Sequence, residues 1–470
     1  MSTPFRLRRE GEERQETGDR RKETKRFSPL PSLLSCLPLL LLLSLQPAGA
    51  QLRAGVAKID ITPDVKAASI PLGGYAARLG RPATGVHDLV YSRALVLEEG
   101  GKRVGIVSID LCFLPANIKS EVLEKLKSGG VEGWSSENLM LVATHSHTSP
   151  DPLAMHSGNN FALKGWSPFD AALLHFTTDR IASSIKEAQL ALVEAKAGIG
   201  IVDASGLNRN RRGEKTTDPA MSILKITDLK GRNLSCLVNF AAHPTLYDDK
   251  MMDVSADWPG AMESNLDKAL GENGVSLFLN GAEGDASPNG VDAFKGEEKV
   301  VAFGKLMSDL VLKNLPGIPT SSAPKLTSTL LKINLPPRKA SGAFLLATGN
   351  LGASIPQAKA LVNGIMPEKT TVQLVTLGDF IFVGMPCEPT AEVGLRIREI
   401  VKKAGKKRVG VVALANDWLA YCLTPEQYKR GNYEAMMSFY GDQFAPSLLS
   451  GLESALLPKK PLKKTVKKHF

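Results

Sequence analysis

Two histidines, His145 and His147, stand two residues apart in LMLVATHSHTSPDP (139–152), where an apolar strand-like run breaks off. On an extended segment, residues i and i+2 face the same way, so both rings can serve one site. The chain holds only seven histidines, and a pair placed this way suits metal or proton chemistry, which needs partners. Four more apolar runs end in reactive side chains. CLVNFAAHPTLYDD ends at His243, and SLFLNGAEGDASPNG runs into Glu283, Asp285 and Ser287. FIFVGMPCEPT delivers Glu388, and VVALANDWLAYCLTP delivers Asp417 and Tyr421.

Each of these has a plainer reading when taken alone. His243 suits a hydrogen-bonded structural histidine, and Glu388 a carboxylate favoured at a helix N-terminus. GDASPN is a good turn sequence, and Tyr421 a half-buried aromatic. Their joint occurrence at strand ends is what points to one site, because α/β sheets bind ligands where strands run out into loops. The HExxH helix of a zinc protease is absent, and His147 is followed by Thr148 rather than the HxHxDH of a metallo-β-lactamase.

The elements that must position these residues alternate along the chain. Short runs rich in Val, Ile and Leu predict buried strands at 104–111, 138–143, 236–241, 276–281, 380–385 and 409–415. Helical spacing covers 115–129, 170–195 and 390–404, where Val393, Ile397, Ile400 and Val401 fall on one face. Near 258, Asp257 reads as an N-cap with Pro259 just inside the helix. Such alternation implies an α/β fold, a largely buried mixed sheet flanked by helices. With no repeat and no long linker, residues 51–456 read as one large catalytic domain.

Composition supports this: 43% of the 470 residues are hydrophobic and 23% charged, the balance of a globular chain. The formal charge of +10 gathers at the ends. Residues 1–28 are crowded with charge, then an apolar run reaches Ala48-Gly49-Ala50. The run is short for a membrane span, so residues 1–50 read as a secretory signal cleaved after Ala50, with an uncleaved anchor as the other reading. A secreted, periplasmic or cell-surface location is therefore expected. The tail 457–470 carries six lysines and reads as disordered, with peripheral contact to an anionic membrane surface as its functional alternative. Basic and aromatic residues do not interleave in the body of the chain, which argues against nucleic acid.

In order, these motifs resemble the neutral (alkaline, non-lysosomal) ceramidases. AGVAKIDITP, LGGYA and TGVHDLVYSRALVLE look like that family's opening, and ATHSHTSP, LNRNR, NFAAHPT and GDASPN like its central motifs. VGMPCEPTAEVGLRIR and ANDWLAYCLTPEQYKRGNYE follow the same pattern. The resemblance implies one Zn²⁺ held by His145, His243, Glu388 and Tyr421. It gives His147 acid/base work, places Arg209 and Ser287 on the substrate, and points Tyr433 at a developing oxyanion. The implied reaction is hydrolysis of an N-acyl amide in a ceramide-like lipid. Zinc makes water nucleophilic near neutral pH, and His147 would protonate the leaving amine.

The sequence also departs from the family. Two glycines of the family's YEGGSTLFG become Ala435 and Met436, CEPT stands for GEFT, and SPD for GPG. After the Tyr433 segment comes the basic tail, where established members carry an immunoglobulin-like domain. These departures bear on the substrate, so a zinc hydrolase acting on a non-lipid amide or ester is a second reading, and a silent secreted binding protein a third. Of the cysteines, Cys112, Cys236, Cys387 and Cys422 follow the signal, with no CxxC spacing. Cys387 and Cys422 adjoin proposed ligands, leaving two roles open: a disulfide, or small buried packing residues.

Overall fold

The computed structural model describes residues 50–159 and 167–457, so the leader and the basic tail lie outside the described residues. Two mixed sheets stack face to face. The larger has eight strands in spatial order Val275–Asn280, Asn233–Phe240, Ala220–Asp228, Val193–Asp203, Arg53–Asp60, Tyr91–Glu99, Lys102–Ile109 and Leu139–Ala143. Its two outermost pairs are parallel and the inner pairs antiparallel. The smaller has four strands, Leu326–Asn334, Lys369–Leu377, Phe380–Gly384 and Arg408–Val412, of which the last pair is parallel.

Period-two alternation explains why the strands read as unbroken apolar runs. In LMLVA, Leu139, Leu141 and Ala143 face the helices Ala116–Ser128 and Ala171–Leu190, whereas Met140 and Val142 face the second sheet. The inter-sheet core joins Leu95, Ile106, Leu237 and Leu279 of the large sheet to Val375, Phe380, Phe382 and Val412 of the small one. With both faces covered, these strands are mostly apolar, and buried polar residues on them are bonded, as Ser108 is to the Phe278 carbonyl and Asn239 to the Val411 carbonyl. Helices Asp257–Leu270 and Gly296–Asn314 cover the other half of the large sheet. Helices Gly342–Asn350, Ile355–Ile365, Ala391–Lys403 and Phe444–Leu456 cover the small one. The architecture is α/β with the mixed sheet between helices, as expected; the second sheet is the addition.

The six expected strands form, with ends shifted by a few residues. Two expectations need correction. The helix begun at Asp170, whose carboxylate accepts from the Ala172 and Leu173 amides, stops at Leu190, and Val193–Asp203 is a sheet strand. β-branched Val193 and the alternating burial that follows it fit the pleat better than a helix turn. Asp257 is not the cap but the first helical residue, with φ of 55°. Its carboxylate reaches back to the Leu246 and Tyr247 amides, tying the helix to the His243 loop. No helix among the described residues is long and apolar enough to cross a membrane.

Candidate metal centre and cavity

His145 leaves the edge strand with φ of 78°, its amide bonded to the Leu111 carbonyl. A histidine in the left-handed region is a strained choice that needs support from its surroundings. Here the Thr144 hydroxyl is held by buried Asp110 on one side, and the His145 Nδ1 faces the Cys112 carbonyl on the other. His243 follows Asn233–Phe240, and its Nδ1 lies 2.7 Å from the Glu283 carbonyl. Glu388 comes from a separate two-stranded ladder beyond the small sheet's Phe380–Gly384, Glu388–Pro389 paired in parallel with Tyr421–Cys422. The loop 281–285 clasps that pair: Gly284 donates to the Pro389 carbonyl, and a Cβ at Gly284 would sit 2.6 Å from the Glu388 carbonyl.

Four side chains therefore converge, two from strand ends of the large sheet and two from the short ladder. Glu388 Oε2 lies 3.3 Å from His145 Nε2 and 3.4 Å from His243 Nε2. The Tyr421 hydroxyl is 3.4 Å from His243 Nε2. His145, His243 and Glu388 are spaced to hold one metal ion, and all are buried. A carbonyl only accepts, so each Nδ1 carries its proton in the neutral ring and each Nε2 turns a lone pair toward the carboxylate. Glu388 Oε2 has no hydrogen-bond donor, while Oε1 accepts from Trp418 Nε1 at 2.8 Å. Two lone pairs and a bare carboxylate oxygen facing one point are a donor set that a cation completes, and two N with one or two O ligands suit zinc. When no cation is bound, a proton does this work. Burial opposes charge on His145, but Cys112 and Glu388 prevail and hold it well above the imidazole range. Glu388 is held well below the carboxylate range, His145 overcoming the cost of burial.

His147 stands beside the triad, its Nε2 3.2 Å from His145 Nε2. Burial, then the two neighbouring imidazoles, pushes it well below the usual value, so the ring is neutral. Gly74 makes room for it: with φ of 86°, a Cβ there would fall 2.4 Å from the ring. Tyr433 packs edge-on to Tyr421, ring centres 5.7 Å apart, with half its surface exposed.

These residues open into a cavity of about 200 Å³ whose walls include Phe113, Leu153, Phe344, Trp418, Met436 and Met437. His145, His147, Glu388, Tyr421 and Tyr433 line it; Arg209 and Ser287 do not. Those two pair across the short ladder Asn208–Asn210/Ala286–Pro288, and Arg209 points to solvent. The arginine that reaches the site is Arg211, whose Nη2 donates to the Tyr421 hydroxyl at 3.0 Å and whose Nε bonds Glu434. The signal was present: NRNRR offers the dipeptide Asn-Arg twice, at 208–209 and 210–211. The strand ends at Asn210, so Arg211 escapes the alternation that would turn it the same way as Arg209. Asp285 caps the helix at Ala391 and holds Asn210, a structural role. All four described cysteines are free and buried, so Cys387 and Cys422 form no disulfide and act as small packing residues.

An α/β protein with a buried two-histidine, one-carboxylate centre at the floor of an apolar cavity is the class these features define. The family model for neutral/alkaline non-lysosomal ceramidase, N-terminal, matches residues 52–303 and 344–449, and the chain belongs to that family. It is 24% identical to the neutral ceramidase of Pseudomonas aeruginosa, over 87% of this chain and 72% of that one. It is 23% identical to the neutral ceramidase of Mycobacterium tuberculosis, over 81% and 73%. The crystal structure of the Pseudomonas aeruginosa neutral ceramidase superposes with a TM-score of 0.75, at 23% identity over 87% of this chain and 74% of that chain. A ceramidase complexed with C2 gives 0.73 at 22% identity, over 86% and 74%.

Proposed function

We propose that this chain is an exported zinc-dependent amidohydrolase that cleaves the N-acyl amide of ceramide or a related N-acyl lipid. The observation that carries the reading is the unpartnered Glu388 Oε2 between two imidazole lone pairs, on the floor of a cavity walled by apolar side chains. Zinc would be held by His145, His243 and Glu388, with the Tyr421 oxygen as a fourth donor, and would supply Lewis acidity and an activated water. Export rests on the leader's composition alone.

The protein's own groups do the rest. His147 is neutral, and so is ready to take the proton of the attacking water and then hand it to the departing nitrogen. An amide leaves poorly until its nitrogen is protonated, which is why a positioned acid is needed. The Tyr433 hydroxyl, on the cavity wall, would donate to the carbonyl oxygen as it gains charge, an electrostatic contribution of about 3 kcal/mol for one good donor. Arg211 orients the Tyr421 oxygen. The apolar walls exclude water and seat acyl or sphingoid carbons.

A panel of N-acyl lipids and N-acyl sugars incubated with zinc-loaded and chelated protein tests this. Freed fatty acid from the lipids, with zinc only, is the expected result. Turnover of the sugars alone would instead favour the non-lipid amide reading, for which Met436, standing on the cavity wall where the family pattern has a glycine, is the argument.

A further inference from the structure

A second group of ligating atoms overlaps the first. One atom each from Cys112, His145 and His147 lies within 4.8 Å of the others, all three residues being buried. Cys112 Sγ is 3.7 Å from His145 Nδ1, and the thiol lines the cavity. His147 Nδ1 has no hydrogen-bond partner although the residue is only 8% exposed. So His145 belongs to two triads: His145, His243 and Glu388 offer two nitrogens and an oxygen, whereas Cys112, His145 and His147 offer a sulfur and two nitrogens.

We propose that Cys112, His145 and His147 form a thiophilic cation site, and that a soft divalent cation such as Cd²⁺ seats there. Ligand softness sorts the two triads: the carboxylate set suits a borderline cation, and the thiolate set a soft one. Binding forms a metal–sulfur bond while the thiol proton leaves to solvent; the His145 proton moves from Nδ1 to Nε2, where Glu388 accepts it, and no electrons are transferred. The ion also occupies a nitrogen of His147, so the proton carrier is lost to the reaction. Only that last consequence rests on the function proposed above; the site itself does not.

The test uses the full chain, stripped of metal, with its thiols reduced, titrated with Cd²⁺ alone. Wild type should develop the ultraviolet sulfur-to-cadmium charge-transfer band, and Cys112→Ser should lose it while still taking up zinc. His147→Gln should keep the band but need at least tenfold more cadmium to reach it. A band of equal size in Cys112→Ser would place the sulfur at another cysteine and overturn the proposal, as would a folded wild type with no band. Should Cys112→Ser fail to fold, the His147→Gln titration decides, unchanged affinity being the refuting result. Cadmium inhibition of zinc-loaded wild type, absent in Cys112→Ser, reads the consequence separately from the site.

Discussion

Glu388→Gln keeps the shape of the side chain and the acceptor for Trp418 Nε1, but removes the one carboxylate from the donor set. A cation that binds only the folded state stabilises it by RT ln(1 + [L]/Kd), about 2.7 kcal/mol at a free concentration of 100 Kd. Losing even an outer-sphere partner costs up to about 100-fold in metal affinity, so losing a direct carboxylate should cost at least that. At the same zinc concentration the variant then sits near its own Kd and gains only about 0.4 kcal/mol. At roughly 2 °C per kcal/mol for a chain of this size, zinc should raise the wild-type melting temperature by about 5 °C and that of the variant by less than 1 °C. Differential scanning fluorimetry of chelated protein, with and without zinc, makes the measurement. Equal shifts in the two proteins would show that Glu388 is no ligand, whatever the family resemblance says.

Three more outcomes are expected. His147→Gln should retain zinc in metal analysis yet lower kcat by about 10²–10⁴-fold; metal loss equal to that of His145→Ala would make both of them ligands. Arg211→Ala should lower stability by about 1–3 kcal/mol in urea titrations, since Tyr421 and Glu434 lose a buried partner, whereas exposed Arg209→Ala should stay within about 0.5 kcal/mol. Asp417 is half-buried, and desolvation raises its pKa to about 7. Its unfolded value is about 3.9, so the folded state binds the extra proton and stability falls as pH rises from about 4 to 7. Asp417→Asn should flatten that slope and gain on the order of 3 kcal/mol at pH 8, and an unchanged slope would refute the assignment.

The strands and the reactive residues at their ends were legible because burial on both faces leaves an unmistakable apolar run, and the side chain that ends it stands out. His145, His243, Glu388 and Tyr421 were each found this way and do meet in space. The pairing of two sheets was not legible, since a strand covered by helices and one covered by another sheet have the same composition. Trp418 and Arg211 were missed for a different reason: both act through orientation. Trp418 follows a left-handed Asn416, and Arg211 lies in a stretch where each of three successive basic or polar residues could have faced inward. The helix Gly342–Asn350, which supplies Phe344 to the cavity wall, reaches the site through tertiary packing alone.

The candidate centre draws its histidines from the strand ends of the large sheet, and its carboxylate and phenol from the short Glu388–Pro389/Tyr421–Cys422 ladder that follows strands of the small one. In chain order His145 and His243 come first, and Glu388 and Tyr421 follow, the nearer of them 145 residues after His243. Neither pair can therefore hold the ion by itself. If zinc is the ion, its uptake would report a finished molecule, one in which the large sheet and the short ladder have both formed and met. A chain released early, or one whose small sheet is misplaced, would leave His145 and His243 without their counter-charge, and stays metal-free while looking largely folded.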